Sequence, residues 1–231
     1  MNRQAQAVVL LLFGGAILKA SLSDLYLRYV KEGLRPFLLV AGAVLVVTAV
    51  ATLWYELRPS DDPPDHHHHE PRVGWLLILP VLGLLLVAPP ALGSFTAGQS
   101  GTVPVTDSDY SELPTEDPAP IGLLDYASRA LYDDGRSLAG RRVQLTGFVA
   151  AGEDGAPMLA RIVVSCCAAD GRPIKVGLSG GPVLDVPAGT WVRVTGTHSP
   201  KRGTDPVNQA DIAYLEVTGW QPITPPKRPY E

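Results

Sequence analysis

The stretch Phe37 to Tyr55, FLLVAGAVLVVTAVATLWY, carries no charged side chain over 19 consecutive residues. At helical rise that length is about 28 Å, close to the roughly 30 Å hydrocarbon layer of a bilayer. The run reads as a membrane span, and it sets the terms for its neighbours. Trp75 to Leu92 is equally free of charge, with Pro80 inside it and Pro89-Pro90 near its end. A kink at Pro80 is tolerated in lipid, where neighbouring helices re-satisfy the freed carbonyl. Ala5 to Ala20 has a shorter apolar centre between Gln6 and Lys19. A cleaved signal peptide is the other reading of that segment, but no small-x-small site followed by a polar start is present. The expectation is three transmembrane helices within residues 1–92.

Between the first two spans, Leu22, Leu25, Tyr26, Tyr29 and Leu34 fall at helical spacing opposite Asp24, Arg28, Lys31 and Glu32. This is an interfacial amphipathic turn or the continuation of a long helix. Trp54, Tyr55 and Trp75 stand at span ends, where amphipathic rings prefer the headgroup level. Basic residues decide little about orientation: Arg3, Arg58 and Arg72 on one side oppose Lys19, Arg28, Lys31 and Arg35 on the other. Gly93 to Ser128 holds six acids and no Lys or Arg, as a translocated segment does. The expected arrangement is a multi-pass protein of the cell membrane with its carboxy-terminal region extracytoplasmic.

The chain averages, 46% apolar residues and a net charge of -4, conceal a division near residue 93. Residues 93–122 are rich in Pro, Ser and acidic groups without apolar periodicity, and read as a linker. A short helix is expected from about Leu123 to Tyr132, stopped by Asp133-Asp134-Gly135. The pattern then changes to alternation in RRVQLTGFVA, PMLARIVVSC, RPIKVGL, TWVRVTGTH and DIAYLEVTGW. Five short strands with glycines near their ends suggest a small all-β, OB-like barrel over 123–221, including the leading helix. Residues 222–231 read as an exposed Pro-rich tail.

Two clusters offer chemistry. The loop at 58–74 contains His66, His67, His68 and His69 flanked by carboxylates, a multidentate ligand for zinc, nickel or copper. The bland alternative is a polar spacer between helices. Cys166 and Cys167 are the only cysteines of the chain, and they are adjacent. If the strand from Pro157 continues through them, their side chains point to opposite faces, with Cys166 the buried one. A vicinal disulfide, or a metal or redox role together with Asp170, stays open beside that reading. A transition metal such as zinc is the one cofactor these residues would suit. Arg161, just ahead, reads as a barrel-mouth charge or as a partner of Asp170.

Nucleophile-elbow, zincin and P-loop patterns are absent from the sequence, and His198 alone makes no catalytic constellation, so an enzyme is not expected. Nucleic acid is not an expected partner either, because the barrel has neither a basic excess nor an aromatic stripe. The residues Gly147-Phe148-Val149, Arg161, Cys166-Cys167, Ala169-Asp170, Trp191-Val192 and Gly196 resemble those of a family of bacterial membrane proteins. That family has three spans, a His-rich loop and a carboxy-terminal barrel. The resemblance implies an accessory subunit of a predicted permease, handling a solute among which metal ions are suspected. The competing class is a stand-alone membrane-anchored protein that binds metal or performs thiol redox chemistry.

Overall fold

The computed structural model describes residues 3–58, 82–83, 90–106, 110–152, 155–182 and 184–231. The chain divides into two units, Met1–Pro90 and Ala91–Glu231. His66 to His69, and the expected third span apart from residues 82–83 and 90–92, lie outside the described residues.

In the first unit, helix α1 runs over Arg3–Leu22 and helix α2 over Arg35–Leu57. Both are long and apolar enough to cross a membrane, in the segments Ala5–Leu22 and Glu32–Tyr55. They pack through small residues. A methyl group added to Gly42 would press on the Leu18 side chain and the Gly14 carbonyl, so the backbones approach closely there. Ala7 and Ala49 are fully buried along the same contact. The connection is not a continued helix but two short 3-10 turns, Asp24–Arg28 and Glu32–Leu34. Arg35 Nε donates to the Ser21 carbonyl at 3.0 Å, and its guanidinium lies 5.8 Å from the centre of the Tyr26 ring. These contacts satisfy a carbonyl that the end of α1 leaves without a helical partner.

In the second unit the five expected strands form a closed barrel. They are β2 (Val143–Ala151), β3 (Pro157–Val163), β4 (Arg172–Ser179), β5 (Trp191–Thr204) and β6 (Asp211–Pro222), preceded by the two-residue β1 (Ala119–Pro120). The barrel order is β2-β3-β4-β6-β5, and β5 returns to pair with β2. All its pairs are antiparallel except β4 with β6. Alternation places Val143, Leu145, Ile174, Val176, Val192, Val194 and Leu215 inside. Helix α4 (Leu123–Tyr132) contributes Leu123, Tyr126, Ala127 and Leu131 to the same core. The Tyr126 hydroxyl donates to the Tyr214 carbonyl at 2.6 Å, which satisfies a polar group carried into that core.

Two segments depart from expectation. The stretch read as a linker is folded onto the barrel. It contains the short helix α3 (Ser94–Gln99), and Val103 N–H donates to the Pro173 carbonyl at 2.7 Å. Thr102 is buried, and its N–H donates to the Asp205 carboxylate at 2.9 Å. That carboxylate also forms a 2.8 Å ion pair with Lys175, the pair being 0% and 8% exposed. The Pro-rich tail also comes back. Its last residues add to the end of β3, with Glu231 N–H donating to Ile162 O and Val164 N–H to Glu231 O, both at 2.9 Å. Both corrections have one cause: the bonds that fix these segments connect residues far apart in sequence, which local periodicity does not report.

The covered outer face forms a second apolar cluster. Ala97, Phe148, Ala150, Ala160, Ile162 and Val164 are buried there, with Leu92, Trp191 and Tyr230 packed against them. This layer holds up the segment that carries the cysteines.

Candidate functional site

Strand β3 ends at Val163, earlier than the sequence pattern suggests. Val164 is still buried, at 3% exposure, and the chain then turns. The cause is Asp170. Its carboxylate accepts from Ser165 N–H and Cys166 N–H, each at 2.8 Å, and from Cys167 N–H at 3.3 Å. Three successive amides turned toward one carboxylate cannot also take part in a strand ladder. A 3-10 turn over Ala168–Asp170 follows, with Asp170 N–H donating to Cys167 O at 3.1 Å and Gly171 N–H to Ala168 O at 3.2 Å. Cys167 and Asp170 form the reciprocal bonds of a capping box, with cysteine in the place usual for serine or threonine.

This geometry corrects the expected placement of the cysteines. Cys166 is exposed and Cys167 half-buried, both as free thiols. They do not point to opposite faces, because the strand register no longer applies: the two Sγ atoms are 3.6 Å apart. Cys166, Cys167 and Asp170 each offer a ligand atom, and all three lie within 4.8 Å of one another.

The electrostatics follow from the same contacts. The Cys166 thiol and the backbone N–H groups of Cys166, Ser165 and Cys167 hold the Asp170 carboxyl down, at about 2. In turn the Asp170 carboxylate, and then the Cys167 thiol, push the Cys166 thiol up to about 12. A thiol in that state is a poor nucleophile at neutral pH, because the thiolate is the reactive form. A cation placed between the donors reverses the balance, since a coordinated thiol loses its proton.

The donor set fits zinc. Two sulfurs about 2.3 Å from a tetrahedral centre are about 3.8 Å apart, and the thiols here are already near that spacing. Two sulfurs and one carboxylate oxygen leave a fourth position for water, a solute or a partner's side chain.

The other motif residues support the site from behind. Arg161 does not pair with Asp170. Its guanidinium donates to the Arg228 carbonyl at 2.9 Å and meets the Glu231 carboxylate at 3.4 Å, lying 5.9 Å from the centre of the Trp191 ring. Glu231 in turn accepts from the first two N–H groups of α4, Leu123 at 2.9 Å and Leu124 at 3.0 Å. Phe148 is buried edge-on against Trp191, with ring centres 5.6 Å apart. Gly147 allows β2 to approach β3, since a methyl group there would press into the Ala160 carbonyl. These residues position β3 and the tail around the thiol turn and do not line it. The run C-A-A-D was a legible capping signal for that turn once cysteine is admitted as the cap.

Residues 125–231 match the family described as the DUF1980 C-terminal domain. The match takes in Gly147, Phe148, Arg161, Cys166, Cys167 and Asp170, and agrees with a distinct carboxy-terminal domain. No curated protein and no solved structure matches the chain.

Proposed function

We propose that this chain is an integral membrane accessory subunit of a permease-type transporter, and that its barrel presents a site for a thiophilic cation. The observation that carries the reading is the convergence of Cys166, Cys167 and Asp170 within 4.8 Å at an accessible turn. Two neighbouring helices long enough for a membrane support the anchoring, and the OB-like strand order supports a rigid domain for the site. In this reading the cation is cargo: two thiolates and a carboxylate hold it, and the open position lets it pass to the permease. Histidines 66 to 69 provide a second, unselective imidazole site in the loop.

The geometry favours cation binding over the redox alternative: the Asp170 carboxylate adds a third ligand atom beside the two thiols, which a dithiol redox pair does not need.

Two measurements test the proposal. Cobalt(II) added to the full-length protein in detergent should give a thiolate-to-cobalt charge-transfer band. Cys166→Ser and Cys167→Ser should each remove it, while replacement of the four loop histidines should leave it. A band unchanged by either cysteine substitution overturns the thiol site. For the partner, the chain isolated from native membranes at native level should carry a multi-span permease with it. Recovery of the chain alone would instead favour the stand-alone metal-binding protein.

A further inference from the structure

The thiol turn is joined to the place where the chain enters the second unit. Gly171, which closes the turn, lies against Leu92: a methyl group added to Gly171 would stand 2.6 Å from Leu92 Cδ1. Leu92 N–H donates to the Tyr230 hydroxyl at 2.9 Å, and Tyr230 bridges to Ile162 on β3. Leu92 is also the last residue of the uncharged run that begins at Trp75. Only Ala91 separates it from Pro90, and three extended residues reach no further than about 10 Å. The turn therefore cannot move far from the end of that run. Three residues beyond Leu92, on α3, Phe95 is an apolar ring 81% exposed. An exposed apolar ring next to a membrane segment gains by burying at the boundary of headgroups and acyl chains. Arg172, exposed directly after the turn, adds a charge that suits anionic headgroups.

We infer that the barrel edge where Leu92 meets the turn at residues 165–171 rests on the lipid headgroup layer, with Phe95, three residues along the chain, as its apolar anchor. The thiols then face the membrane surface instead of bulk solvent. This places the cation site at the membrane surface. The inference rests on reading Trp75 to Leu92 as a span.

Because the chain has only two cysteines, each position can be labelled alone. The full-length Cys167→Ser protein, carrying a fluorophore on Cys166, is reconstituted into phosphatidylcholine–phosphatidylglycerol vesicles. The reference is Cys166→Ser/Cys167→Ser/Ala156→Cys, labelled just ahead of the start of β3, about 20 Å from the strand's other end. Lipids carrying a headgroup nitroxide should quench the Cys166 label several-fold more than the Ala156→Cys label, and Phe95→Ser should reduce that difference. Circular dichroism matching the unlabelled protein establishes the fold of each variant. Equal quenching at both positions, in protein that resists carbonate extraction, overturns this inference and leaves the membrane reading standing. Protein that carbonate strips from the vesicles overturns the membrane reading, and this inference with it.

Discussion

Valine has opposite addresses in the two units. In helix α2, Val44, Val47 and Val50 are 57%, 67% and 51% exposed, whereas Val143, Val176, Val192 and Val194 of the barrel are all 0% exposed. The side chain is the same, so the difference lies in what each fold does with apolar surface. The barrel closes its sheet on itself, and its core is complete. The hairpin satisfies its backbone by helical bonds and buries little beyond its small-residue contact, which suits an apolar surrounding. Stability in the barrel is held by burial and by paired charges, and in the hairpin by close approach of two backbones.

The largest test of this contrast is the buried ion pair of the barrel. Asp205→Ala leaves the Lys175 ammonium uncompensated and removes the acceptor of two backbone N–H groups, at a cost of about 3–5 kcal/mol. Denaturant unfolding of the full chain in nanodiscs measures it, followed by the fluorescence of Trp191 and Trp220 in a Trp54→Phe/Trp75→Phe background. The same pair gives a pH dependence. Burial raises the Asp205 pKa, but the Lys175 ammonium and the N–H groups of Val207 and Thr102 outweigh it and hold the carboxyl below its ordinary range. A depressed folded-state value means stability that is complete above the unfolded pKa, about 3.9, and is lost as pH falls below it through the folded value. Asp205→Asn should flatten that acid limb; an unchanged limb would assign it to other carboxylates.

A smaller effect belongs to the hairpin. Gly42→Val inserts a branched side chain against Leu18 and the Gly14 carbonyl, and should destabilise the helix pair by about 1–3 kcal/mol. A cysteine cross-link between α1 and α2, formed less efficiently in the variant, reports it, while the barrel signal should not move. The smallest effect is expected from Val47→Ala on the exposed face of α2, within about 0.5 kcal/mol. A loss as large as that of Gly42→Val would mean that Val47 is covered by another protein surface.

The barrel was legible in the sequence because each strand carries its own signal. Val143, Leu145 and Val149 alternate with polar neighbours, and the leading helix ends at Tyr132 as the Asp133-Asp134-Gly135 stop implies. What escaped were segments fixed from a distance: Thr102 by Asp205, Val103 by Pro173, and Glu231 by Ile162 and Leu123. None has a periodic pattern, because each is fixed mainly by directed bonds to residues far away in sequence. At the candidate site, the residue types were legible and their geometry was not. Alternation extended through Ser165 to Cys167 gives opposite faces, but a carboxylate three residues beyond captures those amides and ends the strand.

The bond from Leu92 to Tyr230 joins residues 138 positions apart and closes almost the whole second unit into one loop. Loop closure on that scale is entropically costly until the intervening chain is ordered. The tail is therefore expected to dock last, onto a barrel already formed. The order matters for a nascent protein, because the thiol turn precedes both the final strands and the residues that brace Val164. During synthesis there is an interval in which the cysteines exist without the strap beneath them. Native-state hydrogen exchange checks that order: the amides of Val164 and Glu231 should exchange faster than those within the barrel strands.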